Sequence, residues 1–330
     1  MGALYARHLV RGQVDAIDGR GLGADLRVVA LLCVAGERPV IVAWRLLTGS
    51  ASEQGQEAAV PRALVEQALA LGGAGCIRLL LADALDADGP LLAWLKCVHG
   101  SDALVRLPAD RLLYADVQGL ARTPEVPWAA HQYVRTVQGH KQVRRVALAS
   151  AGDLTSWDSF VAAARGYGAP EAALWACLIR ALAPTSQPVA EASALVSTRP
   201  WADGRAALHA SRPRWHSEHD GYRALKEGWS LEERHWGRDA AALRGRLTLN
   251  CLACNTAQVY RSRAGERLAT TAIRRLRQQR RADLGAAPAV VYLDGCYAVL
   301  ALEELLAALG TPVRESLLPA TAKGSAPRPP

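Results

Sequence analysis

Glu218 is an acid on a line of residues that should face a core. At about 100° per residue, Trp215, Tyr222, Leu225 and Trp229 fall on one narrow helical stripe, and Glu218 lies within it. A carboxylate there is costly unless it is paired or holds a metal. Arg214, one turn earlier on the same side, is a candidate charge partner. Taken alone, a core acid neutralised by that arginine and a metal ligand are equally good readings. Two further acids stand at the ends of apolar runs: Asp18 before Gly19, and Asp83 directly after Cys76 to Ala82. Either could merely end a strand or begin a turn. Asp15 competes with Asp18 but sits mid-strand without the following glycine. Asp86 and Asp88 compete with Asp83, and Asp88 is better explained as a helix cap ahead of Pro90.

The surrounding elements decide whether these acids can meet. Val14 to Asp18 reads as a strand. Leu26 to Val34 and Pro39 to Leu47 read as a hairpin around Gly36, Glu37 and Arg38. Glu53 to Leu71 is helical in period, Cys76 to Ala82 is a strand, Gly89 to Val98 a helix and Ala103 to Leu107 a strand. This order, an antiparallel meander followed by βαβ crossings, is that of an RNase H-like domain. In that topology the first and fourth strands are neighbours, so Asp18 and Asp83 come together although they are 65 positions apart.

From Pro108 to about Ser197 the pattern turns β-rich, with strands expected at Leu112 to Val117, Gln132 to Val137, Gln142 to Ser150 and Ala194 to Thr198. Glu171 to Leu182 suits either strand or helix. After the Glu218 helix, helices are expected at Arg238 to Tyr260 and Gly265 to Arg281. A strand from Ala289 to Leu293 and a helix from Val299 to Leu309 follow. The fold class is therefore α/β, a mixed sheet flanked by helices with a β-rich insertion before the Glu218 helix.

Composition narrows the setting. The 330 residues are 50% hydrophobic and 21% charged, which describes a globular chain rather than a disordered one. The net charge of +8 favours an acidic partner such as nucleic acid. The bases are 35 arginines against four lysines, and arginine suits bidentate phosphate contacts, although genome composition alone would also produce the bias. Seven scattered cysteines without a disulfide framework fit a reduced, cytoplasmic compartment. The sequence shows no signal-peptide pattern and no apolar run of transmembrane length, so no membrane partner is expected.

Three pieces resemble the DDE transposases of bacterial insertion sequences, specifically the group with a β-rich insertion between the second Asp and the Glu. They are Ala16-Ile17-Asp18-Gly19-Arg20-Gly21-Leu22, Leu79-Leu80-Leu81-Ala82-Asp83-Ala84-Leu85, and Arg214-Trp215-His216-Ser217-Glu218 with Leu225-Lys226. The likeness spans roughly Val10 to Asn255. The group's signature is Y-x2-R-x3-E-x6-K. Arg214 and Glu218 keep its spacing, Ser211 stands in the tyrosine position, and Leu225 stands in the lysine position with Lys226 one residue late. Full-length relatives carry a DNA-binding region ahead of the first Asp. Only 17 residues precede Asp18 here, so the chain is expected to be a truncated or partial transposase.

The resemblance implies metal-dependent DNA cleavage and strand transfer. Asp18, Asp83 and Glu218 would be the catalytic and metal-binding set, holding two Mg²⁺ ions, or Mn²⁺ in their place. Mg²⁺ prefers hard oxygen ligands, and two ions ~3.5–4 Å apart stabilise the attacking and leaving oxygens of an in-line displacement. Arg214 would hold a phosphate or orient Glu218, and Lys226 would contact the backbone near the cleaved bond. The partners implied are transposon-end and target DNA, with a homodimer forming in the DNA complex. The expected organisation is a catalytic domain from 1–107 and 198–262, interrupted by the insertion at 108–197. A C-terminal helical region (263–318) and a disordered tail (319–330) follow. Rival readings are a catalytically silent remnant that binds DNA or protein, and an RNase H-like nuclease unrelated to transposition.

Other motifs are weaker. Arg274, Arg275, Arg277, Arg280 and Arg281 make a dense basic helix that could track DNA phosphates but would by default be a solvated face. Cys251 and Cys254 form a lone C-x2-C without a second pair to complete a zinc site. His216 and His219 read as solvated. Trp128, Trp157 and Trp175 read as core residues, though the resemblance would allow one of them to stack on a flipped base.

Overall fold

A computed structural model describes residues 13–23, 26–34, 39–48, 59–84, 88–137, 140–182, 193–214, 225, 240–263, 288–293, 296–301 and 304. It is an α/β fold with one mixed sheet flanked by helices. The chain opens with strands β1 (Gln13–Gly23), β2 (Leu26–Cys33) and β3 (Val40–Thr48). Helix α1 (Ala59–Gly72), β4 (Ile77–Ala82), helix α2 (Gly89–His99) and β5 (Asp102–Leu107) follow. Helix α3 (Leu112–Leu120) precedes the hairpin of β6 (Ala129–Val137) and β7 (His140–Leu154). Helix α4 (Asp158–Gly166), β8 (Leu174–Ala181), β9 (Ser193–Ser197), helix α5 (Gly204–Ser211) and helix α6 (Ala240–Arg263) come next. Strands β10 (Pro288–Leu293) and β11 (Cys296–Ala301) form a separate pair.

The large sheet has the order β3-β2-β1-β4-β5-β9-β8-β7-β6. β1, β2 and β3 are antiparallel neighbours, whereas β4 runs parallel to β1 and β5 parallel to β4. The first and fourth strands thus lie side by side, as the element order requires. β9 then pairs antiparallel with β5, so the strands of the 108–197 segment lengthen the same sheet.

The alternation along β4 shows why this run is apolar throughout. Leu80 and Ala82 belong to a core under α1, α2, α3 and α4; Leu79 and Leu81 belong to a second core shared with Leu247, Cys251 and Cys254 of α6. A central parallel strand buried on both faces reads as a continuous hydrophobic stretch. Fully burying each leucine contributes about 1.5–3 kcal/mol. A third cluster, with Val146, Leu148, Trp175 and Cys177, seats Ala207 of α5 on the same side as α6.

Helix α2 has the termini its sequence specifies. Asp88 Oδ2 accepts a hydrogen bond from Leu91 N at 3.0 Å, Pro90 lies in the first turn, and Gly100 closes the helix at φ 63°. Asp88 is therefore a cap.

Several expectations need correction. Leu112 to Val117 is helical rather than extended. Leu113, Tyr114 and Val117 are buried on one face, a spacing that a short apolar run does not distinguish from a strand. The segment expected as helix from Val299 begins as strand β11, whose Cys296 pairs with Leu293. Asp294 and Gly295 lie between them, a dipeptide that favours tight hairpins. Glu171 to Leu182 contributes a strand, β8. Helices α4 and α5 had not been expected; α5 is announced by Asp203, which accepts from Ala206 N at 2.7 Å. The basic helix expected at Gly265 to Arg281 and the tail at 319–330 lie outside the described residues. No helix among the described residues is long and apolar enough to cross a membrane.

One side chain ties α6 to the edge of the sheet. The Asn255 amide donates from Nδ2 to Ile41 O at 2.7 Å and accepts from Ile41 N at 2.9 Å, reproducing a strand's pairing at β3. Asn255→Leu keeps the volume but orphans both buried backbone groups. It should cost about 3 kcal/mol, at about 1–3 kcal/mol for each unsatisfied group. Urea denaturation should show the loss as a lower midpoint with an unchanged slope.

Candidate active site

The parallel register of β1 and β4 brings the two aspartate positions together. Ala16 is the partner of Leu81, and Asp18 and Asp83 each lie two residues further on. Neighbouring strands are about 4.8 Å apart, so the two backbones are adjacent at this end of the sheet. Asp83 immediately follows the last residue of β4.

The register also separates Asp18 from its competitor. Asp18 pairs with Ala30, which is buried in the core shared with α6. Asp15 pairs with Cys33 and with Leu80, both in the core on the other face. Because positions alternate between faces, register position 18 shares a face with Leu81 and position 15 does not. Asp83 has the parity of Leu79 and Leu81.

Arg214 reaches this point from the far side of α5. That helix packs on β5, β7 and β8. Gly204, at its start, sits so close to the sheet that a Cβ there would lie 2.7 Å from Cys177 Sγ and 3.1 Å from Leu148 Cβ. Past the end of the helix, Arg214 is buried and its Nη1 lies 3.8 Å from Asp83 Oδ2. The arginine expected beside Glu218 thus also reaches an acid of the sheet. Asp83 Oδ1 is buried and has no hydrogen-bond partner among the described residues. A hard, buried, unpartnered carboxylate oxygen beside a second aspartate position suits a divalent cation of the Mg²⁺ type.

Leu225 is 1% exposed within the same core as Leu79 and Leu81. The chain therefore leaves Asp83 at Arg214 and is back under the same face at Leu225. Glu218, Lys226, Arg274, Arg275 and Arg277 lie outside the described residues, as do His216 and His219. Asp83 is the one member of the expected acidic set whose side chain is described. Among the described residues no three His, Cys, Asp or Glu side chains converge on a metal-sized position.

Three weaker candidates resolve into structural roles. Cys251 and Cys254 are both buried in the α6 core, and burial, reinforced by Cys254, pushes the Cys251 thiol up to about 12. Among the described residues no third His, Cys, Asp or Glu joins the pair to hold a metal. Trp157 and Trp175 are buried. Trp128 donates from Nε1 to Ala121 O at 2.9 Å and has Arg180 4.3 Å over its ring, so its face is already covered. Ser211, in the signature's tyrosine position, spends its hydroxyl on Leu208 O at 2.8 Å.

Searched against models of known protein families and against curated proteins, the chain matches none.

Proposed function

We propose that this chain carries the catalytic core of a DDE transposase, an RNase H-like domain that cleaves and joins DNA with divalent metal ions. The reading rests above all on the register that puts Asp18 and Asp83 side by side at the end of β1 and β4. The strand order β3-β2-β1-β4-β5, with β4 and β5 parallel to β1, is the sheet such a domain uses.

Each residue then has a task. Asp18 and Asp83 supply carboxylate oxygens from adjacent strands. Glu218 supplies the third carboxylate from the segment bounded by Arg214 and Leu225. Arg214 holds one oxygen of Asp83, which orients the carboxylate and leaves the buried Oδ1 available as a ligand. Lys226 contacts a phosphate near the cleaved bond. Mg²⁺, when bound, neutralises the phosphate oxygens and lowers the pKa of the attacking water or 3′-hydroxyl. The reaction is an in-line displacement in which that oxygen attacks phosphorus and the strand's 3′-oxygen leaves.

One observation favours a second reading, a catalytically silent DNA- or protein-binding remnant. Leu225, in the signature's lysine position, is a core residue rather than a phosphate contact.

Titration calorimetry with Mn²⁺ separates the two. The catalytic reading expects saturable binding that weakens at least tenfold in both Asp18→Asn and Glu218→Gln. The silent reading expects no binding, or binding indifferent to both substitutions.

A further inference from the structure

The sheet edge beyond β9 carries a basic surface that the three acids do not explain. Between Ala129 and Gly152 the sequence has Arg135, Lys141, Arg144 and Arg145 and no Asp or Glu. The first part of this stretch is edge strand β6, paired along its length with β7. Arg144 is exposed, and its register position opposite Tyr133 has the parity of Val146 and Leu148, the face on which α5 packs; Lys141 and Arg145 are exposed at positions of the other face, with Val134 and Val143. Among the described residues Arg144 bonds Gln142 Oε1 at 3.0 Å, an uncharged partner, and neither it nor Lys141 has a salt bridge.

Helix α5 adds to this surface. Arg205, His209 and Arg212 recur at i, i+4 and i+7, one stripe of a helix, and the first two are exposed. Arg212 joins the helix to the hairpin: its Nη2 donates to Val134 O at 2.6 Å, and its guanidinium lies 5.1 Å from the Tyr133 ring centre. The His131 ring stacks on Tyr133 at 6.2 Å. His131 titrates below its ordinary range because burial and the nearby Arg205 and Arg212 disfavour its charge, against an opposing pull from Asp203. Asp203 is the acid that faces this cluster, and its carboxylate is engaged at the start of α5. At the other end, one residue separates Arg212 from Arg214, which lies against Asp83. The basic groups therefore run continuously from the hairpin, along α5, to the acid at the end of β4.

We propose that the α5 stripe (Arg205, His209, Arg212) and Arg144 of the β6–β7 hairpin form one track for the phosphate backbone of duplex DNA, leading to Asp83. The choice of DNA rests on the transposase reading; the track itself rests on charge, exposure and the Arg212 contacts. Exposed basic side chains without acidic partners release counterions when they meet phosphates, so affinity should fall steeply with salt. The contacts are to the backbone and carry no sequence preference.

The test is fluorescence anisotropy with a labelled DNA duplex of arbitrary sequence, in chelator so that no metal or catalysis is needed. The variants are Gln142→Glu/Arg144→Glu, Arg205→Ala/His209→Ala and, as a control on the opposite face after α3, Arg122→Glu. The substituted side chains in the two double variants are exposed, and circular dichroism checks that the fold is kept. Each double variant should weaken binding at least tenfold at ~100 mM salt. The slope of log K against log salt should become shallower by about 0.9 for each phosphate contact removed. The control should bind within about twofold of wild type.

Wild-type affinity in both double variants, or an equal loss in Arg122→Glu, overturns the track. So does tighter binding of duplex RNA than of DNA, or no DNA binding by the wild type. Failure here is separable from failure of the catalytic reading. A chain that binds Mn²⁺ through Asp18 and Glu218 but loses no DNA affinity in these variants keeps the active site and lacks the track. A chain with the track but no Mn²⁺ binding is a DNA-binding remnant.

Discussion

Asp83→Asn should abolish metal-dependent nicking of supercoiled DNA while leaving the fold and DNA binding intact. The substitution keeps the shape of the side chain and removes its charge. The Asp83 position lies beside Asp18 in the β1–β4 register, with Oδ1 buried and without a hydrogen-bond partner among the described residues. Removing a metal-ligating carboxylate forfeits several kcal/mol of transition-state stabilisation, and about 4 kcal/mol corresponds to about 10³-fold in rate. Asp88→Asn is the matched comparison. Its carboxylate caps α2 through Leu91 N, and asparagine caps nearly as well, so activity should stay within about twofold. Gel assay of relaxed and linear plasmid in Mg²⁺ and in Mn²⁺ reads both. Equal loss in the two variants would mean that the segment between β4 and α2 is merely fragile.

The second large effect is on stability and sits at the other end of that segment. Gly89 opens α2 against the start of α4. A Cβ at Gly89 would overlap Ser159 Oγ, lie 2.6 Å from Phe160 N and 3.1 Å from Phe160 Cα. Serine can turn away, but the backbone of Phe160 cannot, and Phe160 is 0% exposed. Gly89→Ala should therefore cost about 3 kcal/mol, at the upper end for overpacking, with α2 displaced from α4. Gly119 gives the opposite sign. It lies in the last turn of α3, and its Cβ would meet nothing within 4 Å. Gly119→Ala should stabilise by about 0.5–1 kcal/mol, because alanine loses less freedom in a helix. Thermal unfolding of the two variants should move in opposite directions. A Gly89→Ala protein as stable as the wild type would show that α2 and α4 have room to separate.

Particular residues show what could be read from the sequence. The strands from Leu26 to Ala82 were legible because apolar runs ended at glycines and aspartates. The neighbouring of Asp18 and Asp83 was legible because a meander followed by a βαβ crossing leaves few alternatives for the fourth strand. Asp88 was legible as a cap because its neighbours obey helix-start chemistry.

Long-range choices were less visible. Leu112 to Val117 lacks the length that separates helix from strand. The pairing of β9 with β5 joins residues about 90 positions apart, and nothing local specifies it. Arg214 is offered only Glu218 by helical spacing, which reports only neighbours on the same helix. Its contact with Asp83 arises from tertiary packing of α5 on the sheet, for which a close glycine such as Gly204 is a faint signal. The Arg212 contact with Val134 is of the same kind, 78 positions distant in sequence.

The central claim is that Asp18, Asp83 and Glu218 share a divalent metal. The most direct measurement is anomalous X-ray scattering from a crystal soaked in Mn²⁺. The account predicts an anomalous peak at the end of β1 and β4, within about 2.0–2.3 Å of oxygens from Asp18 and Asp83 and bridged by Glu218, with Arg214 alongside. A crystal in which Mn²⁺ binds elsewhere, or in which the Glu218 carboxylate points away from the other two, would contradict it.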